Sequence, residues 1–347
     1  MIVCKFGGSS LADAARMERV ARIVRADRAR RFVVVSAPGK RFEGDEKVTD
    51  LLLRASLGDA AALEAAMGRF RTMAVALGVD VERELRRAEA DIPALGADHA
   101  ASRGEYLCAQ LMARLLRCAF VDAAQCVFFR ADGSVDMERT YAQTLRLLRP
   151  LERAVLPGFY GSMPDGSVRT FPRGGSDVTG ALVAGATGAL AYENWTDVDG
   201  LMSADPRLVE GAVRVPELSY RQMRLLGSMG AQVLHPDSLR PVARAGIPTV
   251  LKNSFHPEAA GTRIGPDART RVPCVTGRAL RGGDAVVAVL SPEAMALASG
   301  AAAALEAAGV RAHRLCAWSD HLLLRVRGGD LSASIRALHR ALVEGRA

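Results

Sequence analysis

Short apolar runs alternate with longer helical stretches through most of the sequence, and this alternation limits the folds that the chain can adopt. The runs typical of strands are MIVCKF (1–6), RFVVVSAP (31–38), QCVFF (125–129), ALAYENWT (189–196), IPTVLKN (247–253) and a predicted hairpin of 154–161 with 167–173. The helical patterns cover 11–25, 49–90, 100–119, 176–187, 217–227 and 236–245. Because parallel strands need helical crossovers, this order predicts an α/β fold with a mainly parallel sheet between helices.

The sequence after residue 274 has a different order of elements. A strand at 285–290 is followed by a helix at 292–309, a hairpin of 310–318 with 321–328, and a closing helix at 330–345. This βαββα order predicts a small α+β domain. We therefore expect two domains, which cover residues 1–274 and 275–347.

Composition argues against several classes of protein. The chain has 347 residues, 49% of them hydrophobic, and contains neither a run of about 18 apolar residues nor an export signal, so we expect no membrane partner. Six cysteines lack CxxC spacing and the histidines form no ligand pattern, which predicts reduced thiols, no metal site made by protein ligands, and a cytoplasmic location. The net charge of +8 is spread along the chain without a recognition motif, so we expect no nucleic acid partner.

A glycine turn follows the first strand. KFGGSS (5–10) places Lys5 in the strand and Gly7 and Gly8 in the turn, and the SLAD capping box at 10–13 predicts the start of a helix. Backbone N–H groups and the helix dipole favour an anion at such a turn, and Lys5 adds a mobile positive charge. Taken alone the stretch is a weak indication, because a Gly-Gly pair after a strand is more often an ordinary turn.

A second glycine turn lies in TFPRGGSDVTG (170–180). A predicted strand ends at Arg173, a Gly-Gly pair forms the turn, and Ser176 and Asp177 start a helix. Two such turns can hold the two ends of a phosphoryl transfer, or Ser176 and Asp177 are only helix N-caps. In WTDVDGLMSADPR (195–207), polar residues again follow a strand end, where ligands bind in open α/β sheets.

Several linked motifs occur along the chain in a fixed order: KFGGSS, VVVSAPGK with KVTDLL, SRGEYL, TFPRGGSDVTG, WTDVDGLMSADPR and MGAQVLHPDSL. In this order they resemble the motifs of the aspartate kinases, which belong to the amino acid kinase family. The resemblance covers about residues 1–274, and the C-terminal domain resembles an ACT regulatory domain. It implies a three-layer αβα amino acid kinase fold followed by an ACT-like, ferredoxin-like domain.

The same resemblance implies an activity. Aspartate kinases use ATP to phosphorylate the β-carboxylate of L-aspartate, which gives 4-phospho-L-aspartate on the route to lysine, threonine and methionine, and Mg²⁺ bridges the phosphates of ATP. The chemistry of the residues agrees, because a carboxylate with a pKa of about 3.9 is ionised at neutral pH and needs no general base. Positioning and charge neutralisation then dominate catalysis.

The resemblance also implies roles for residues of this sequence. In catalysis, Lys5 contacts the transferred phosphoryl group and Asp177 orients Lys5. In the aspartate pocket, Arg173 binds the α-carboxylate and Glu105 the ammonium group. The complete substrate set is Ser36, Thr49, Glu105, Arg173 and Ser176. The nucleotide set is Gly7, Gly8, Ser9, Thr196, Asp197, Asp205 and Arg207. Two positions depart from the family pattern, Gln232 where many relatives have lysine and Met202 where an aromatic residue is common.

The C-terminal domain departs from the family pattern more strongly. Relatives usually carry two ACT units, whereas this chain has room for one, whose final strand is missing from the pattern. We therefore expect weak or absent feedback inhibition by lysine or threonine. The edge left unpaired by the missing strand predicts pairing between chains, and so a homodimer or a higher homo-oligomer.

Two other functions stay open. A kinase for another acidic amino acid fits the same residues, because Glu105 and Arg173 require an ammonium and a carboxylate group without fixing the length of the side chain. The other is a catalytically silent regulatory partner. The joint presence of Lys5, Asp177, Arg173 and Glu105 argues against it, since a silent copy has no chemical need for all four.

Overall fold

The computed structural model of the protein describes residues 1–172, 174–231, 234 and 236–346. Its strands are β1 (Ile2–Phe6), β2 (Arg30–Val35), β3 (Ala119–Phe120), β4 (Ala154–Pro157), β5 (Tyr160–Ser162), β6 (Val168–Thr170), β7 (Ala191–Thr196), β8 (Glu217–Ser219), β9 (Thr249–Asn253), β10 (Thr262–Gly265), β11 (Cys274–Ala279), β12 (Asp284–Leu290), β13 (His313–Ala317) and β14 (His321–Arg327). Its helices are α1 (Ala14–Arg25), α2 (Val48–Ala55), α3 (Ala60–Leu77), α4 (Glu82–Asp91), α5 (Ala97–Leu116), α6 (Met137–Leu148), α7 (Gly175–Thr187), α8 (Tyr220–Ser228), α9 (Arg240–Arg244), α10 (Ala294–Ala307) and α11 (Leu331–Leu342). Within these residues, no helix combines the length and the apolar character that crossing a membrane requires.

The chain forms two compact units. The first consists of Met1–Asp197 with Asp237–Ala259, and the second of Val198–Pro236 with Ala260–Ala347. Residues 198–236 and 260–274 therefore group with the C-terminal part of the chain, and this division does not coincide with the boundary expected at residue 274. That boundary stays a prediction about functional domains.

A parallel sheet forms the centre of the first unit. Six strands lie side by side in the order β3-β4-β2-β1-β7-β9, and every pairing between them is parallel. Cys4 and Phe6 of β1 point into a core that includes residues of α1 and α5. Lys5 lies between them in sequence and so points to the opposite face, where it meets Asp177 of α7. The expected α/β fold with helices on both faces is confirmed.

A buried carboxylate ties the central strands together. Glu193 of β7 accepts two hydrogen bonds from the guanidinium of Arg30 at the start of β2, at 2.8 and 3.2 Å. It also accepts the indole N–H of Trp195 at 2.9 Å and the thiol of Cys4 at 3.3 Å. Because a buried charge is stable only when it is paired and hydrogen-bonded, these donors fix β1, β2 and β7 to one another.

Several details of the first unit differ from the sequence-based expectations. In the stretch 125–129 only Phe128 and Phe129 form isolated bridges and Gln125 ends a 3₁₀ turn, because a short apolar run does not by itself specify a strand. The hairpin consists of β5 and β6 alone, whereas β4 belongs to the central sheet. Helix α1 begins at Ala14, and its N-cap is Asp13, which accepts the backbone N–H of Arg16 at 2.9 Å. Ser10 instead lies in a 3₁₀ turn (Gly8–Leu11), with its hydroxyl 2.7 Å from that of Ser254.

The second unit contains a four-stranded antiparallel sheet and a short parallel pair, β8 with β10. The four-stranded sheet has the order β11-β12-β14-β13, with α10 and α11 packed against it, and it contains the predicted βαββα order. The place beside β12 that the missing final strand would leave open is filled within this chain, because β11 pairs with β12 from Cys274–Leu290 to Ala279–Ala285, and β11 and β13 are the outer strands of this sheet. The sequence CVTGRA did not predict this strand, since it has no clear alternation. A homo-oligomer stays a prediction.

We expect Glu193→Ala to lower the free energy of unfolding by about 3–5 kcal/mol, because it leaves the partly buried guanidinium of Arg30 without its carboxylate and the buried indole N–H of Trp195 without its acceptor. Urea unfolding followed by far-UV circular dichroism measures this loss. Glu18→Ala is a suitable control, since Glu18 is exposed on α1 and its removal should change the stability by less than about 0.5 kcal/mol. Equal stabilities for the two variants would contradict a structural role for the Glu193 network.

Candidate active site

A cleft of about 370 Å³ lies in the first unit where β1, β2 and β4 end. Its lining comes from separate segments of the chain: Lys5, Ser36, Lys47, Thr49, Asp50, Glu105, Phe159, Gly174, Gly175, Ser176 and Asp177. The carboxyl ends of parallel strands share one edge of the sheet, and ligands of open α/β sheets bind there. The cleft therefore brings together six residues singled out from the sequence: Lys5, Ser36, Thr49, Glu105, Ser176 and Asp177.

Lys5 and Asp177 form an ion pair in this cleft. Lys5 Nζ lies 2.7 Å from Asp177 Oδ1, and their side chains are only 10% and 15% exposed. Asn194 Nδ2 donates to the same carboxylate oxygen at 2.8 Å, and the hydroxyl of Tyr192 donates to the carbonyl of Asp177 at 3.1 Å. The parallel register sets Lys5 beside Asn194, so β1 and β7 together hold the lysine and its carboxylate in place. Neither Asn194 nor Tyr192 belongs to the residues that the sequence predicts for the site.

The first glycine turn packs directly on the segment after β2. The N–H of Gly39 donates to the carbonyl of Gly8 at 2.8 Å, and a Cβ on Gly8 would lie 2.7 Å from the carbonyl oxygen of Ala37. The N–H of Gly7 donates to the carbonyl of Trp195 at 3.0 Å, so Gly7 already has its acceptor. Gly8 and Ser9 open the 3₁₀ turn, where the first N–H groups lack partners within the turn. These two groups are the donors that the turn can offer to an anion.

Glu105 of α5 is a buried acid in the cleft. Its side chain carries a buried oxygen, Oε2, without a hydrogen-bond partner. Burial raises its pKa to about 8, although the backbone of Ala37 and of Glu105 itself, and the charges of Lys5 and Arg103, act in the opposite direction. An unpartnered buried carboxyl oxygen has a high energy, which a cationic ligand in the cleft would relieve.

Other lining residues complete the cleft. Ser176 packs closely on Gly158, because a Cβ added to Gly158 would lie 2.6 Å from the Cβ of Ser176. Phe159 has a positive φ of 78°, uncommon for a residue with a side chain, and its N–H donates to Thr179 Oγ1 at 3.1 Å. Lys47 was not predicted to line the cleft, although KVTDLL, the motif that contains it, was recognised. Arg173, expected to bind a carboxylate, lies outside the described residues, as does Gln232.

The residues expected to bind a nucleotide are divided between the two units. Those in the first unit are Gly7, Gly8, Ser9, Thr196 and Asp197. Thr196 ends β7, and its hydroxyl donates to Asp197 Oδ1 at 3.2 Å. Asp205 and Arg207 belong to the second unit, where they form an exposed ion pair at 2.6 Å that lowers the pKa of Asp205. Their common role in a nucleotide site stays a prediction.

The cleft offers charge and position. Lys5 and Lys47 provide positive charge, Glu105 provides a buried carboxyl group, and no histidine or cysteine is among the lining residues given above. Among the residues that the structure describes, no cluster of three His, Cys, Asp or Glu side chains is placed to hold a metal ion. Such an arrangement suits the transfer of a charged group between two bound substrates, because fixed charges can neutralise the group as it moves.

The fold of this chain has counterparts among known proteins. The model of the amino acid kinase family matches residues 1–253. A solved structure of aspartate kinase from Clostridium acetobutylicum superposes with a TM-score of 0.90 and 28% identity, and covers 99% of this chain and 100% of that chain. The chain therefore belongs to the amino acid kinase family.

Two curated relatives show how far the likeness extends. Aspartokinase 3 of Bacillus subtilis is 38% identical in an alignment of 287 positions that covers 76% of this chain and 63% of the relative. Lysine-sensitive aspartokinase 3 of Escherichia coli is 32% identical in an alignment of 299 positions that covers 76% of this chain and 64% of the relative. The chain thus spans less than two thirds of the length of these relatives.

The raised pKa of Glu105 predicts a pH-dependent stability without any ligand. The folded state holds the proton up to about pH 8, whereas the unfolded chain loses it near pH 4.5, the ordinary pKa of glutamic acid, so the stability of the wild type falls as the pH rises from 4.5 to 8. Glu105→Gln cannot ionise. We expect it to gain stability relative to the wild type, on the order of a few kcal/mol, between pH 5 and pH 8.5. Urea unfolding of both proteins at pH 5 and pH 8.5 measures this gain. A stability difference between Glu105→Gln and the wild type that does not change with pH would contradict a buried, ionisable Glu105.

Proposed function

We propose that the protein uses ATP to phosphorylate the β-carboxylate of L-aspartate, forming 4-phospho-L-aspartate. The observation that carries this proposal is the buried Oε2 of Glu105, unpartnered in the same cleft as Lys5. Without a ligand, burial keeps this carboxyl group protonated up to about pH 8, and the ammonium group of an amino acid bound beside it would stabilise its ionised form. With the ammonium at Glu105, the substrate lies in the cleft that contains the Lys5–Asp177 pair.

The names of similar proteins support the same substrate. The relatives from Bacillus subtilis and Escherichia coli are aspartokinases, as is the structural neighbour from Clostridium acetobutylicum. A structure of Escherichia coli aspartokinase III, 24% identical to this chain, is described as a complex with aspartate and ADP. We extend aspartate and the adenine nucleotide to this chain as part of the proposal.

The proposed reaction is a direct transfer. An oxygen of the β-carboxylate attacks the γ-phosphorus of ATP, and the new O–P bond forms as the bond to the leaving oxygen of ADP breaks. The attacking carboxylate is already ionised at neutral pH, so no base removes a proton. Lys5, held by Asp177, neutralises charge on the transferring group, and the N–H groups of Gly8 and Ser9 assist from the first turn.

Mg²⁺ fits this site as a companion of the nucleotide. Mg²⁺ in nucleotide enzymes keeps several waters and binds mainly through substrate phosphates with one or two carboxylates. The described residues form no cluster able to hold the ion without phosphates, and Asp177 is the carboxylate beside Lys5. When bound, Mg²⁺ supplies additional neutralisation of phosphate charge.

The cellular setting follows from the same proposal. All six cysteines are free, which fits a reducing compartment, and we propose that the reaction takes place in the cytoplasm. There it would serve the synthesis of lysine, threonine and methionine. Assembly as a homodimer or a higher homo-oligomer is part of this expectation.

Formation of ADP from Mg-ATP, with hydroxylamine present to trap an acyl phosphate, tests the proposal. We expect turnover and hydroxamate with L-aspartate, and little with L-glutamate, N-acetyl-L-glutamate or no acid. Lys5→Ala should reduce kcat by at least about 10²–10³-fold, because a donor to the transferring group is lost. Arg28→Ala removes an exposed cation and should leave kcat unchanged.

The other outcomes identify the alternatives. If only a different acid is turned over, that acid replaces L-aspartate as the proposed substrate, and the proposed mechanism is retained. A folded protein that binds ATP but turns over none of these acids would contradict the enzyme proposal and favour a regulatory partner.

A further inference from the structure

The loop between β2 and α2 is held to the first glycine turn by a buried arginine. Residues 36–47 contain no regular secondary structure, and residues 40–44 are exposed. Arg69 reaches this loop from α3, with a side chain that is only 5% exposed. We call the loop residues 39–46 the clamped segment. Exposed irregular loops are ordinarily mobile, so a buried cation aimed at one requires an explanation.

Arg69 joins three points of the backbone. One terminal nitrogen, Nη2, donates to the carbonyl of Ala12 at 2.8 Å and also to the carbonyl of Gly39. The other, Nη1, donates to the carbonyl of Glu46 at 3.2 Å and lies 3.5 Å from Asp45 Oδ2. Ala12 follows the first glycine turn, whereas Gly39 and Glu46 are the two ends of the clamped segment. One guanidinium therefore fixes both ends of the segment against the turn.

The clamped segment is closed by further bonds of its own. Asp45 accepts the backbone N–H of Arg41 at 2.9 Å and pairs with the guanidinium of Arg41 at 2.8 Å. Arg41 holds the pKa of Asp45 well below its usual range, so this carboxylate is charged throughout the physiological range. Arg16 donates from α1 to the carbonyls of Ser9 and Lys40, at 3.1 and 3.2 Å. These bonds organise the same loop that Arg69 anchors.

The two ends of the clamped segment lead into the candidate active site. Gly39 packs on Gly8, whose own N–H is one of the two donors available to an anion. Lys47, Thr49 and Asp50 line the cleft immediately after Glu46. A displacement of the clamped segment would therefore move both the first glycine turn and one wall of the cleft. Misplacement of reacting groups by about 1 Å can reduce rates about 100-fold.

We propose that Arg69 is a positioning residue for phosphoryl transfer. By holding the carbonyls of Ala12, Gly39 and Glu46, it keeps the first glycine turn at the distance that the reaction requires from the cleft wall, which Lys47, Thr49 and Asp50 form. Arg69 touches no substrate in this role and acts through the backbone that it holds. A planar fork with several donors is needed, because a single lysine ammonium cannot reach all three carbonyls in the same geometry. This inference rests on the proposed kinase function for its effect on rate, but not for its effect on the loop.

The test compares Arg69→Lys with Arg71→Lys in the full chain. Arg71 lies two residues further along α3 and makes only partly exposed ion pairs with Glu82 and Glu89, so it is a control for the same substitution in the same helix. Hydrogen exchange reports on the amides of Gly39 and Arg41, which donate to Gly8 and Asp45. We expect at least tenfold faster exchange at these amides in Arg69→Lys, with the core strands unchanged, and no change in Arg71→Lys.

Kinetics then connect the loop to the reaction. For Arg69→Lys we expect kcat/KM for L-aspartate to fall about 10- to 100-fold, mostly through kcat, while a folded Arg71→Lys keeps wild-type values. Unchanged exchange at Gly39 and Arg41 would show that Arg69 does not hold the clamped segment in place. Faster exchange with unchanged kcat would overturn its role in the reaction. If the wild type is inactive but exchange at Gly39 and Arg41 is faster in Arg69→Lys, the proposed function is contradicted, while the role of Arg69 in holding the clamped segment is supported.

Discussion

The ion pair between Lys5 and Asp177 is the interaction on which the candidate site depends. Lys5 is in the middle of an apolar strand, where an unpaired ammonium would be strongly unfavourable. The carboxylate that stabilises it comes from the first turn of α7, 172 residues later in the chain, and is fixed there by Asn194 of the neighbouring strand. The pair therefore forms only when β1 and β7 are paired in this register and α7 packs beside them. Correct folding of these three elements thus also places the lysine amine in the cleft.

Close backbone packing is the second constraint. Gly8 and Gly39 allow two turns to approach within hydrogen-bonding distance, and a side chain on either would meet backbone atoms at 2.7 Å. Glu105, in contrast, is in an unfavourable environment. Its burial destabilises the ionised form and raises its pKa to about 8. Functional sites commonly retain such locally unfavourable groups, since the ligand and not the protein provides the missing partner. The cleft is therefore most stable when it holds a cationic group.

The sequence predicted those features that depend on local pattern. Alternation of apolar and helical segments was enough for the parallel sheet, and the two glycine turns pointed to Lys5, Ser176 and Asp177. Features that depend on tertiary contacts were not accessible. Asn194 lies inside the strand AYENWT, whose sequence does not identify the partner of its side chain, and only the pairing of this strand with β1 brings Asn194 beside Lys5 and Asp177. The same reason hides Arg69, which reads in the sequence as one arginine among many on an ordinary helix.

We propose that Asp177 affects phosphoryl transfer through Lys5. A double-mutant cycle on kcat/KM, with Lys5→Ala, Asp177→Ala and the double variant, tests it most directly in hydroxamate formation with L-aspartate. We expect strong non-additivity, with the double variant no less active than Lys5→Ala, because Asp177 has nothing to position once the amine is absent. Losses that multiply in the double variant would show that the two residues act independently and would contradict the account.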